Sequence, residues 1–212
     1  MTLFFVFLLL LAALGVAWGG SFWIDRLYGR NLSILTFPDA IASRSRWRKP
    51  LLFIGFLGCG LRLLQLASGL PLVLMLVFTA FLLWMTATDF EQYCLFDSMM
   101  LPFALAALVM LATYPDMLLS HLLAGLAGGL VFLVLGILSR GALGGGDIKL
   151  LAALGLWMGP QSLVFTAAAG TVLGGLAALV LLLAGQKNRK SSFAYGPYFM
   201  LTALALMLVR GL

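Results

Sequence analysis

Long apolar runs, broken by short polar or glycine- and proline-containing intervals, set the rhythm of this chain. A helix that crosses a bilayer needs about 20 consecutive apolar residues, with a range of roughly 17–25. Runs and breakers divide the 212 residues into eight apolar segments, near 2–22, 50–68, 71–88, 98–113, 117–139, 148–159, 162–184 and 197–211. The sixth is short, so it is expected to start below the bilayer surface or to form a half-span. No tandem repeat of fixed period is visible. The expected fold class is all-α: a polytopic integral membrane helical bundle of about eight spans, in a single domain covering 1–212.

Charge sharpens this picture. Hydrophobic residues make up 63% of the chain and charged residues 9%, against about 25% charged in soluble domains. A conventional water-soluble core is therefore excluded. The formal net charge is +6, but the cations lie in short intervals between apolar runs. That distribution follows the positive-inside bias of membrane topology and not a nucleic-acid patch. The expected partner is the lipid bilayer, with no nucleic acid. With the N-terminus outside, the inner side receives a basic segment at 25–49, the intervals 89–97 and 140–149, and Lys187, Arg189 and Lys190. Of all the lysines and arginines only Arg62 and Arg210 fall near the outer side, where long stems can reach the headgroups. The first run lacks a basic stretch before it, while Arg26 and Arg30 follow it, so an uncleaved first span is expected. Cys59 lies in an apolar run and Cys94 in a polar interval, with no Cys-x-x-Cys, so neither a disulfide framework nor a cysteine zinc site is supported.

Small residues four apart, Gly125–Gly129 and Gly170–Gly174, are expected to let helix backbones pack closely in lipid. The chemistry points elsewhere. Asp89 closes one apolar run and Asp147 ends the cluster GALGGGD before another. An ionised Asp near a bilayer core costs roughly 2.5–3.5 kcal/mol on insertion scales and usually marks function. Both acids are expected on the inner side. Gly144, Gly145 and Gly146 would form a glycine turn that admits unusual torsions and lets a substrate backbone lie close. The Lys-Ser/Thr ending of a phosphate-binding loop is missing. Asp147 would cap a helix starting at Ile148, with Lys149 adding positive potential, and Asp89 would lie near a helix C-terminus. Two adjacent carboxylates cannot both ionise easily, so one holds a proton while the other activates water, which is the chemistry of aspartyl proteolysis. On this reading Asp147 starts as the base and Asp89 as the acid. Glu91 and Asp97 are candidates for holding a basic part of the substrate, or are simply solvated. His121 and Asp116 fall on the outer side. No metal or cofactor is required by this chemistry. The non-enzymatic alternative is a transporter or scaffold using a buried Asp pair, but transport calls for polar groups near mid-membrane, and the run interiors are nearly free of charge.

The Asp89–Asp97 segment together with GALGGGDIKLLAALGLWMG resembles the type IV prepilin peptidases, membrane aspartyl proteases of the Gly-x-Gly-Asp type. Gly20-Ser21-Phe22 with Arg26-Leu27 is similar to that family's early GSF…YRL element. Ser43-Arg44-Ser45-Arg46 is similar to its SRS element, and FAYGPYFMLTAL (193–204) to its late FGP span. These matches cover most of the chain in the expected order. The resemblance implies that Asp89 and Asp147 are the catalytic pair. It implies a prepilin or pseudopilin substrate of a type IV pilus or type II secretion system, whose short basic leader precedes a hydrophobic helix. It also implies a multi-pass protein of the bacterial inner membrane with its site facing the cytoplasm. Bifunctional members also methylate the new N-terminus with S-adenosylmethionine. Two departures stand out: the segment after SRSRWRKP has none of the paired cysteines many members carry, and the usual Pro-Asp is here Phe96-Asp97.

Overall fold

A computed structural model describes residues 2–138, 144–185 and 193–211, and all regular structure among them is helical. In lipid no water is available to satisfy backbone N–H and C=O groups, so an apolar run closes its hydrogen bonds within itself as a helix. Two compact units result, one holding residues up to Cys94 together with Met207 onward, the other Leu95–Leu206.

In the first unit, α1 (Thr2–Leu14) runs through a π-helical stretch (Gly15–Gly19) into α2 (Gly20–Arg30). The predicted first run stops near residue 22, whereas this helix reaches Arg30. The wide π turn is held by Trp84, whose Nε1 donates to Val16 O at 2.9 Å. The Trp84 indole also fills the space a Cβ at Gly20 would need. A short helix, α3 (Ile41–Arg44), leads to α4 (Arg48–Leu66) and α5 (Gly69–Gln92). Leu9, Ala13, Phe56 and Ala80 form a buried apolar cluster in this unit. The 25–49 segment expected as a basic interval is thus partly helical, and it carries one buried cation, Arg48.

In the second unit lie α6 (Asp97–Thr113), α7 (Pro115–Leu138), α8 (Gly145–Leu183) and most of α9 (Gly196–Arg210). Glycine sets the approach of α7 to α8: a Cβ at Gly155 would come within 2.7 Å of the backbone at Ala124 and Gly125. Phe199 and Tyr195 pack similarly over Gly170 and Gly174. Both predicted glycine pairs therefore lie in helices, with Gly125, Gly170 and Gly174 in close contact. At Gly159 (φ 70, ψ −177) α8 kinks, followed by Pro160. Proline has no N–H to give the carbonyl four residues back. That carbonyl is Leu156 O, and His121 Nδ1 approaches it at 2.9 Å. Because a carbonyl only accepts, Nδ1 carries the proton and donates. His121, expected as an outer-interface residue, is thus bonded to the kink.

Each predicted run falls on a helical stretch, the sixth and seventh joined across the Gly159 kink. By length and apolarity five helices among the described residues suffice to cross a membrane: Leu3–Arg30, α4, α5, α7 and α8; α6 and α9 are shorter. Their outer faces carry large exposed apolar side chains, such as Ile54, Leu126 and Ile137. Such surfaces suit lipid, not water. The protein is an all-α, multi-pass membrane bundle.

Candidate active site

The polar end of α5 belongs to the first unit. Asp89 lies in its last turn, not in a loop: the predicted interval 89–97 is helical to Gln92, irregular through Phe96, and helical again from Asp97. Asp89 is 5% exposed, on a helix whose remaining length is almost wholly apolar. Its own carbonyl accepts from Tyr93 N at 2.9 Å, and Tyr93 closes the helix in the left-handed conformation (φ 51, ψ 40). A non-glycine residue there costs roughly 1–2 kcal/mol. Neighbours offset this, since the Tyr93 ring meets Phe37 edge-on with centroids 5.1 Å apart.

The segment preceding α4 grips this helix end. Arg44 donates to Glu91 O through Nε and to Phe90 O at 2.7 Å. Phe37 N donates to Gln92 Oε1 at 2.9 Å, and Gln92 Nε2 returns a bond to Phe37 O at 3.1 Å. Below them, Arg48 Nη1 donates to Glu91 Oε2 at 2.9 Å, and Tyr28 OH donates to the same oxygen at 3.0 Å. Arg48 also pairs with Asp25. Glu91 was expected to be solvated or to bind substrate. It is 6% exposed and engaged by Arg48 and Tyr28, which makes it an internal anchor.

Asp147 belongs to the second unit. The helix it was expected to cap at Ile148 starts earlier: Gly144 is the N-cap, and Asp147 is the third residue of α8, half-buried, with its N–H donating to Gly144 O at 3.1 Å. Its carboxylate therefore sits beside the first turn, where unpaired N–H groups and the helix dipole favour negative charge. No torsion in this turn calls for glycine, and a Cβ at Gly145 would meet nothing within 4 Å. Gly144 has φ −69 and ψ 145, open to any residue, and none of Gly144, Gly145 or Gly146 has a positive φ. At Gly146 a Cβ would lie 3.1 Å from Leu95 Cβ, so glycine there admits the Leu95 side chain. Residues 140–143 of the predicted glycine interval, Arg140 included, lie outside the described residues.

Asp97 and Lys149 are brought together, with Lys149 Nζ donating to both Asp97 oxygens at 2.7 and 2.8 Å. The pair is exposed and lines, together with Met100, Leu101, Ala104 and Ala153, an open groove of about 510 Å³. Among the described residues no three His, Cys, Asp or Glu side chains gather as a metal site. Sequence reasoning missed Arg44, Arg48, Tyr28 and Gln92. The arginines sit in a basic run expected on the inner side, and only the acids and carbonyls they meet distinguish them.

A family model described as the type IV leader peptidase family matches residues 76–209, a stretch that contains both Asp89 and Asp147. The chain is 40% identical over 105 residues to a protein of Klebsiella pneumoniae named prepilin leader peptidase/N-methyltransferase, covering 46% of this chain and 46% of that protein. A Neisseria gonorrhoeae protein of the same name is 32% identical over 128 residues, covering 58% of this chain and 43% of that one. The chain thus matches a little under half the length of each of these relatives. No solved structure gives a match.

Proposed function

The chain belongs to the type IV leader peptidase family, and on that premise we propose that it is a membrane aspartyl endopeptidase using Asp89 and Asp147. Its substrates would be prepilins or pseudopilins, cut at the cytoplasmic face of the bacterial inner membrane to release a basic leader. One observation supports this reading above the others: a helix that is apolar for most of its length keeps a carboxylate, Asp89, 5% exposed at its polar end. Removing a carboxylate from water is costly, and such groups are retained in membrane proteins chiefly for function.

In the proposed reaction the two carboxylates share one proton. The ionised member removes a proton from a water held between them, and the water oxygen attacks the scissile carbonyl carbon. The protonated member donates to that carbonyl's oxygen, giving a neutral gem-diol. A proton then passes to the leaving nitrogen, the C–N bond breaks, and the products are the leader carboxylate and the pilin amine. The groove lined by Asp97 and Lys149 combines a charged pair with apolar side chains. That pattern suits a basic leader followed by an apolar helix, with a leader cation displacing Lys149 from Asp97.

A second reading adds methylation of the new N-terminus with S-adenosylmethionine, because both curated relatives carry N-methyltransferase in their names. A second cavity, of about 280 Å³, is lined by Ala124, Ala127, Val131, Phe132, Leu163 and other apolar residues. Its apolar lining does not fit a charged nucleoside cofactor.

Co-expression with a candidate prepilin, followed by mass spectrometry of the pilin N-terminus, tests both readings. Leader loss with the intact enzyme, and not with Asp89→Asn or Asp147→Asn, is expected. An uncleaved prepilin would overturn the peptidase reading, and an unmethylated mature amine the second.

A further inference from the structure

The last carbonyls of a helix lack donors within the helix and must find them elsewhere. At the end of α5 those donors come from a side chain far away in sequence. Arg44 reaches both Phe90 O and Glu91 O with one planar guanidinium, which fixes the direction of both peptide units and not merely the charge near them. The guanidinium is itself held, lying 4.1 Å from the Phe37 ring centroid and 5.6 Å from that of Tyr93. Phe37 is in turn tied through both backbone groups to Gln92. Since Tyr93 N already bonds Asp89 O, the three consecutive carbonyls of Asp89, Phe90 and Glu91 are each held by a donor outside the regular part of α5. The 37–44 segment therefore holds the two peptide units that directly follow Asp89, and with them the turn on which Asp89 sits.

We propose that Arg44 is a positioning residue for Asp89, acting by clamping the last turn of α5. This rests on the endopeptidase reading above. Arg48 reaches the same turn but is buried, and its loss would confound placement with folding. Arg44 is only half-buried and lies outside the apolar cluster, so its replacement tests geometry more cleanly. Its neighbour Arg46 is exposed and stacks only on Trp47 among the contacts described, which makes it the matched control.

The experiment is steady-state cleavage of a full-length prepilin in lipid vesicles, with rates divided by the amount of enzyme that elutes as a folded peak. Misplacing a catalytic group by about 1 Å costs on the order of 100-fold, so Arg44→Gln is expected to lower kcat by roughly 10- to 100-fold with KM within about threefold. Arg44→Lys, which restores charge but not the planar fork, falls between Arg44→Gln and wild type, and Arg46→Gln keeps the wild-type rate. A purely structural role would reduce the folded peak and leave kcat per folded enzyme unchanged, and that result overturns the proposal. So does an equal loss in Arg46→Gln, or a loss confined to KM. Asp89→Asn is run alongside. If it is inactive while Arg44→Gln is normal, only the positioning proposal fails; if Asp89→Asn cleaves normally, the endopeptidase reading itself fails.

Discussion

Replacing Arg48 by methionine strips the cation from a buried ion pair and leaves its acid in place. The Arg48 and Glu91 side chains are 3% and 7% exposed, with Nη1 to Oε2 at 2.9 Å. Breaking such a pair from one side costs about 3–5 kcal/mol, because the remaining charge is buried without its partner. Asp25 adds little to that figure, since its side chain is 52% exposed and exposed pairs contribute about 0–1 kcal/mol. For a chain of this size each kcal/mol moves the melting temperature by roughly 2–4 °C, so the expected loss is roughly 6–20 °C. The assay is thermal unfolding in lipid nanodiscs followed by tryptophan fluorescence. Glu91→Gln still accepts from Tyr28 and Arg48 and is expected to cost about 1–2 kcal/mol. The double variant removes both charges and keeps an acceptor for Tyr28, so its loss should fall short of the sum of the two single losses by a coupling of about 1.5–3 kcal/mol. A melt of Arg48→Met within about 3 °C of wild type, or strict additivity in the double variant, would refute the reasoning.

Three further outcomes follow from the second unit. His121→Ala leaves Leu156 O without its donor at the Pro160 kink, an expected loss of about 1–3 kcal/mol, and His121→Gln, which keeps a donor, should restore part of it in the same melts. Gly155→Ala drives a Cβ into the Ala124–Gly125 backbone, and overpacking of this kind costs about 1–3 kcal/mol; an unchanged melt would show that α7 yields easily. Asp97→Asn should move stability by less than about 1 kcal/mol, because the Asp97–Lys149 pair is exposed, yet it should raise KM for a prepilin with a basic leader. An unaltered KM would remove Asp97 from substrate binding.

The apolar runs were legible because bilayer thickness dictates their length, and Asp89 and Asp147 were legible because a carboxylate among such runs is expensive. What escaped has a common cause. Asp-Phe-Glu-Gln after Thr88 reads as the start of a polar loop, but α5 continues because Arg44 and Phe37 supply its end with bonds from a distant segment. Of the cations in 25–49, nothing local distinguishes Arg48, which is buried only because Asp25 and Glu91 meet it. Gly159-Pro160 reads as a break between two runs, and the structure answers it with a kink bonded by His121 from another helix. The triple glycine suggested unusual torsions, whereas Gly146 serves by leaving room for Leu95. The charge assignment within the Asp pair is beyond local reading too. A helix N-terminus favours an anion at Asp147 while burial opposes it, and packing decides between them.

Single-turnover cleavage of a vesicle-embedded prepilin by Asp89→Asn, Asp147→Asn and the double variant tests the shared use of one water most directly. Groups that act as a unit are non-additive, so each single variant should fall to the rate of the double. A single variant that keeps near-wild-type turnover, or two losses that simply multiply in the double, would contradict a paired mechanism.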